Sequence, residues 1–170
     1  MNKNIPIETE RKFLIYIPSF KELETQNKFR IRDITQTYLK TDGEKNARVR
    51  KVIENGETTH IKTVKERIST LSCYEDECEI SNDEYSALLL NADEEKKSIS
   101  KTRYSFEYCD HILEIDVYDF WNDRATLEIE LQSEDEAFSI PDFIKVIKEI
   151  SLDGRYKNTN LAKNVPFDEI

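Results

Sequence analysis

In six separate segments of this chain, charged residues recur two apart, and within each segment they share a sign, apart from one lysine beside a glutamate. A β-strand sends successive side chains to opposite faces, so residues two apart are neighbours on one face. The shared-face sets are Glu8, Glu10 and Lys12; Arg48 and Arg50; Glu75, Glu77 and Glu79; Lys101 and Arg103; Glu114 and Asp116; Glu128 and Glu130. The opposite faces carry Ala47 and Val49, Tyr74 and Cys78, Thr102 and Tyr104, the run Leu113, Ile115, Val117, and the run Leu127, Ile129, Leu131. An antiparallel sheet with one wet and one buried face accounts for alternation alone. It does not account for the sorting by sign, because same-face neighbours lie only ~7 Å apart and wet faces usually dilute like charges.

Like charges so close need a neutralising partner. Convergent carboxylates are hard oxygen ligands for Mg²⁺ or Mn²⁺, while Arg forks and Lys ammonium groups hold phosphate oxygens. Both together describe a metal-phosphate site. If the strands close into a barrel, the charged faces turn inward to line a polar lumen and the apolar faces turn outward, to be covered by helices.

The alternating segments are Ile7 to Tyr16, Ile31 to Lys40, Ala47 to Glu54, Thr58 to Lys65, Leu71 to Ile80, Ile99 to Tyr108, Ile112 to Tyr118 and Ala125 to Leu131. Asn55-Gly56 predicts a tight hairpin, and CDH at 109–111 a second. Three helices are expected: SFKELETQ from Ser19, with Glu22 placed for a capping box; NDEYSALLLNADEE from Asn82; and SEDEAF with PDFIKVIKEI, where Pro141 suits a first helical position. In the last, Phe143, Ile144, Val146, Ile147 and Ile150 form a stripe to bury against the sheet. The tail RYKNTNLAKNVPFDEI reads as a surface wrap.

The 170 residues suit one domain spanning the chain. A net charge of −10, with no concentrated Lys/Arg run, argues against nucleic-acid or anionic-membrane partners. MNKNIPIE has no apolar core of a signal peptide and no apolar run approaches membrane-spanning length, so a cytoplasmic location is expected. Cys73, Cys78 and Cys109 lack metal-ligand spacing and read as reduced thiols, while His60 and His111 read as surface or hairpin residues. Lys65 is expected inside and Lys62 in solvent, and Trp121 with Tyr118 is expected to cover the barrel mouth.

With these motifs in order, the chain resembles the CYTH superfamily, the triphosphate tunnel metalloenzymes, whose signature Glu-x-Glu-x-Lys is matched by Glu8, Glu10 and Lys12. ITQTYL at 34–39, RVR at 48–50, KTVK at 62–65, YEDECEI at 74–80, ISKTRY at 99–104, LEIDVYDF at 113–120, LEIEL at 127–131 and RYKNTNLA at 155–162 carry the resemblance over nearly the whole chain. It implies an α+β fold: an eight-stranded antiparallel β-barrel, the triphosphate tunnel, with a charged lumen and helices packed outside. It implies substrate binding by Lys12, Arg48, Arg50, Lys65, Lys101 and Arg103, and more loosely by Arg155. It implies metal binding, Mg²⁺ or Mn²⁺, by Glu8, Glu10 and Glu130, with Glu128, Glu75, Glu77 and Asp116 as a second acidic group. Glu77, Asp116 and Lys65 are the residues expected in the chemistry, with Glu77 or Asp116 orienting the attacking water. VYDFWNDRAT lacks the glycine turn and FIKVIKEISLD the Gly-Glu-Val-Thr wording common in the family, which leaves substrate trimming open. The activity so implied is metal-dependent hydrolysis of a small-molecule triphosphate, inorganic tripolyphosphate first and nucleoside or thiamine triphosphate next. A class IV adenylate cyclase or a non-catalytic polyphosphate-binding module are the alternatives, and a homodimer is plausible by analogy.

Overall fold

The computed structural model describes residues 7–41 and 45–170, so the first six residues, read above for a targeting signal, lie outside the described residues. The strands are β1 (Ile7–Tyr16), β2 (Asn27–Tyr38), β3 (Asn46–Glu54), β4 (Glu57–Arg67), β5 (Ser72–Ile80), β6 (Ile99–Tyr108), β7 (His111–Tyr118), β8 (Arg124–Leu131) and β9 (Val146–Glu149). The helices are α1 (Phe20–Leu23), α2 (Asn82–Leu89) and α3 (Asn158–Leu161). Eight strands run in the order β5-β4-β3-β2-β6-β7-β8-β1, every pairing antiparallel. Pairing of Ile7, Glu8 and Thr9 with Tyr74, Cys73 and Ser72 joins β1 to β5 and closes the barrel.

All eight expected strands form, and both hairpins turn where expected. Asn55 and Gly56 have φ of 52° and 82°, and Cys109 and Asp110 have 47° and 64°, the left-handed pairs that a two-residue turn requires between right-twisted strands. Closure turns the apolar parity outward. Phe13 and Ile15, Leu113 and Ile115, and Leu127, Ile129 and Leu131 form one buried exterior cluster. A second cluster of Leu39, Ala47, Val49 and Ile80 lies under Tyr85 of α2.

The expected helical cover is corrected in three places. PDFIKVIKEI forms β9, not a helix, pairing with Phe13, Leu14 and Ile15 of β1. Beyond Thr9, β1 separates from β5 and has a free edge, and Val146 and Ile147 are β-branched residues suited to fill it. Val146 is consequently exposed, while Phe138, Ile140, Phe143 and Ile144 of the irregular segment before β9 lie on the exterior cluster, with the Phe138 ring 5.7 Å from Phe13. α1 is a single turn and the Ser19 side chain does not cap it, so the expected capping box is absent. α2 stops at Leu89; its N-terminus is capped by Ser81, whose hydroxyl accepts from the Glu84 N–H at 3.1 Å.

One barrel end is closed by a third cluster: Leu14, Tyr38, Ile99 and Tyr118 from the strands, Trp121, and Tyr156, Leu161 and Ala162 from the C-terminal segment. Leu14 continues the inward row of Glu8, Glu10 and Lys12, so polar lumen gives way to apolar plug within one strand. Trp121 donates to the Pro166 carbonyl at 3.1 Å, as its expected covering role requires. Among the described residues, no helix is long and apolar enough to cross a membrane.

Leu127 is fully buried in the exterior cluster. Leu127→Ala is expected to lower the unfolding free energy by about 2–5 kcal/mol, read as a reduced urea midpoint at unchanged slope.

Candidate active site in the barrel lumen

Closure brings the sign-sorted faces together inside one cylinder. Bases on β3, β4 and β6 meet acids on β1, β5, β7 and β8. Lys101, Arg103, Asp116 and Glu128 are all under a tenth exposed, and charges so far from water persist only when paired. Arg103 donates to both Asp116 oxygens, Nε at 2.6 Å and Nη2 at 2.7 Å, to Glu128 at 2.9 Å, and to Glu114. Lys101 also contacts Asp116, and Lys12 lies 2.8 Å from Glu128. On the other wall, Lys65 bridges Glu8 and Glu75, each at 2.5 Å, and Arg48 lies 3.7 Å from Glu75. Arg50 contacts Glu77 and donates to Thr63 at 3.1 Å, and the Thr63 hydroxyl donates to Glu77 at 3.0 Å.

Protonation follows from this wiring. Burial opposes charge on Asp116, yet Arg103 and Lys101 override it and hold the carboxyl at about 2. Burial likewise opposes charge on Glu128, and Lys12 and Arg103 overcome it, keeping it well below the usual carboxylate range. Lys101 is lowered to about 8 by burial and by neighbouring Arg103, and Arg50 to about 10 by burial and Arg48. Glu8 is pushed up to about 8 by burial and its hydrogen-bonded contact with Glu75, whereas Glu75, although burial opposes its charge, is held at about 2 by Glu8 and Lys65.

Glu10 and Glu130 behave differently. They are direct cross-strand partners on β1 and β8. Burial raises both, reinforced by Glu128 at Glu10 and by Glu114 at Glu130. Among the described residues neither has an ion-pair partner. Lys65, Lys12 and Arg103 pull Glu10 the other way, and Arg103 does so at Glu130, without outweighing burial and the neighbouring acids.

Two cavities enter the lumen. The larger, about 600 Å³, is lined by Glu8, Glu10, Lys12, Arg48, Lys65 and Glu128, with Ser69 to Cys73 and Lys157 to Asn160 at its rim. The smaller, about 460 Å³, is lined by Glu8, Arg48, Arg50, Glu75, Glu77, Arg103 and Glu130, together with Arg32 and Glu114. Lys101 and Asp116 sit behind these walls as a buried pair. The expected residues therefore converge, except Arg155. It lies on the exterior, paired with Asp153 at 2.7 Å and Asp168 at 3.2 Å, because the short turn at 154–156 points it away from the lumen while Tyr156 enters the end cluster. Lys65 faces in as expected. The His60 ring packs against Tyr85 at a tilt, centroids 4.4 Å apart, and His111 Nε2 lies 3.3 Å from Glu136, both outside the cavities.

Arg32 was not among the expected site residues. It shares strand parity with Gln36 and Tyr38, and its Nη2 donates to Glu114 at 2.8 Å; splitting β2 by parity would have found it. Lys157 and Asn158 carry no such periodic signal and reach the cavity rim only through the C-terminal wrap. Glu8, Cys73 and Glu75 place donor atoms within 4.8 Å of one another, but the Lys65 ammonium already bridges the two carboxylates.

The sequence profile of the CYTH domain matches residues 6–162. The chain belongs to the CYTH domain family. Among solved structures this CYTH domain is similar to the inorganic triphosphatase NE1496, with 28% identity over 94% of this chain and 96% of that one, at a TM-score of 0.57. It is similar in fold to PH1819 from Pyrococcus horikoshii OT3, at 20% identity, TM-score 0.56, over 74% of this chain and 80% of that one. It is also similar in fold to a putative adenylate cyclase from Bacillus halodurans, at 18% identity, TM-score 0.53, over 75% and 81%. A comparison with curated proteins finds no match.

A carboxyl whose folded value is raised stabilises the fold fully below its unfolded value and loses that stability as pH rises through the folded one. For Glu8 the window runs from its ordinary 4.5 to about 8. In metal-free buffer, Glu8→Gln should therefore gain about 1–3 kcal/mol over the wild type as pH is raised from about 5 to about 8, since Gln stays neutral and Lys65 keeps Glu75. Urea titrations of both proteins across that range read the difference.

Proposed function

We propose that this CYTH domain hydrolyses inorganic tripolyphosphate with Mg²⁺ or Mn²⁺ inside the lumen. The observation that carries this reading is the partnerless acid pair Glu10 and Glu130 in the same lumen as buried guanidinium N–H groups of Arg48 and Arg50 that have no acceptor. One set lacks a cation and the other an anion, and a metal-triphosphate supplies both. The likeness to the inorganic triphosphatase NE1496 supports the substrate class.

The donor chemistry fits a hard divalent ion. Glu10 and Glu130 present oxygens with no ion-pair partner among the described residues, with Glu8 and Glu75, both bridged by Lys65, beside them, while Glu128 and Asp116, saturated by Lys12, Lys101 and Arg103, complete the acidic wall chiefly by holding those bases in place. A bound Mg²⁺ or Mn²⁺ would neutralise charge on the phosphate oxygens. Lys12, Arg48, Arg50, Lys65 and Arg103 bind and orient the phosphates, which is most of what phosphoryl transfer asks of a protein, and Lys101 supports the wall from behind through Asp116. Lys65 stays charged, since Glu8 and Glu75 outweigh its burial, and it serves as an electrostatic group, not a proton donor. Of the two acids considered for orienting water, Asp116 is sealed behind Lys101 and Arg103, whereas the Glu77 side chain is 40% exposed at the smaller cavity. Glu77 is therefore assigned to position the attacking water.

Purified protein is incubated with tripolyphosphate and with ATP under Mg²⁺ or Mn²⁺ and the products are identified. Phosphate released from tripolyphosphate is expected, and Glu10→Gln should lower the rate by about 100-fold or more with unchanged circular dichroism. Cyclic AMP with pyrophosphate from ATP, no product at all, or near-normal activity in Glu10→Gln would each overturn the assignment.

A further inference from the structure

The smaller cavity carries four arginines among six carboxylates, and one of those arginines, Arg32, is not among the bases assigned above to a triphosphate. Arg32, Arg48, Arg50 and Arg103 line it. The Nε atoms of Arg32, Arg48 and Arg50 are buried without an acceptor, and Arg50 is only 8% exposed. The carboxylates nearby engage the other edges: Nη2 of Arg50 meets Glu77 and Thr63, and Nη2 of Arg32 meets Glu114 and, at 3.2 Å, Ser105. A guanidinium N–H withdrawn from water without an acceptor is costly, so these edges are suited to a ligand that carries several oxygens.

The spacing gives that ligand a length. The cavities share Glu8 and Arg48, so they meet inside the barrel. Arg48 reaches Gln36 on β2 at 3.2 Å, and Arg32 lies four residues earlier on that strand. At ~3.3 Å per residue this extends the basic lining by ~13 Å beyond the position that Arg48 touches. We propose that the smaller mouth, at Arg32, binds further phosphoryl groups of a linear polyphosphate whose first three units take the triphosphate site described above, and that Arg32 makes the lumen selective for chains of four or more. This rests on the hydrolytic reading for its place in turnover, but not for its binding geometry.

Calorimetric titration of the metal-free protein with tripolyphosphate and tetrapolyphosphate tests it. The wild type is expected to bind the longer chain about tenfold more tightly. Arg32→Gln should erase that margin and Arg32→Lys should keep part of it, with thermal melts confirming that both variants fold. Equal affinities in the wild type, or an equal loss for both chains in Arg32→Gln, would overturn the proposal. A parallel assay with Mg²⁺ separates the two readings. A binding margin without hydrolysis of either chain sinks the triphosphatase assignment and leaves chain-length selection standing; hydrolysis of both with no margin does the reverse.

Discussion

Arg103 and Asp116 form the interaction on which this barrel depends. A closed sheet with charge on its inner face withdraws those charges from water, and each must find a counter-charge inside. Arg103 reaches acids on two neighbouring strands, Glu114 and Asp116 on β7 and Glu128 on β8, while Lys101 and Lys12 neutralise the same acids from β6 and β1. These contacts tie β1, β6, β7 and β8 into a charged wall, with an apolar wall of the same strands directly behind it. One strand parity serves function and the other stability.

The neutralisation is deliberately uneven along the lumen. Toward the apolar plug, Lys101, Asp116, Glu128 and Lys12 are matched and nearly dry. Away from the plug, Glu10 of the larger cavity faces Glu130 of the smaller, and arginine edges go without acceptors. Low dielectric makes such unpaired groups expensive, and the same property makes them strong ligands for a charged guest. Matched pairs hold the geometry, and the mismatched groups are the ones that the proposed metal and phosphate would satisfy.

Much of this was legible in one dimension. A two-residue period with sorted signs located eight strands and most of the lumen, because an inward face repeats every second residue whatever the loops do. Asn55-Gly56 declared its turn through the left-handed backbone it must adopt. The misreadings share a cause. PDFIKVIKEI has a helical stripe by spacing, but the free edge of β1 offers backbone pairing that local periodicity cannot reveal. Arg155 sits beside Tyr156 in a motif that looked like site lining, yet burial of Tyr156 in the end cluster sends its neighbour outward. Arg32 escaped notice because the expected strand begins at Ile31, which leaves out Arg30, the base two residues earlier on the same face, whereas β2 begins at Asn27.

By itself, then, the sequence determined which side chains share a face, since that depends only on the geometry of an extended chain. It thereby put Glu8, Glu10 and Lys12, Arg48 and Arg50, and Lys101 and Arg103 each on one face of its strand, the face that turns inward once the strands close into a barrel. Tertiary structure alone decided which acid answers which base. The pairing of Lys65 with both Glu8 and Glu75, and the isolation of Glu10 with Glu130, arise from the register and closure of strands far apart in the chain. Register is a property of neighbours across the sheet, and a single strand does not contain it.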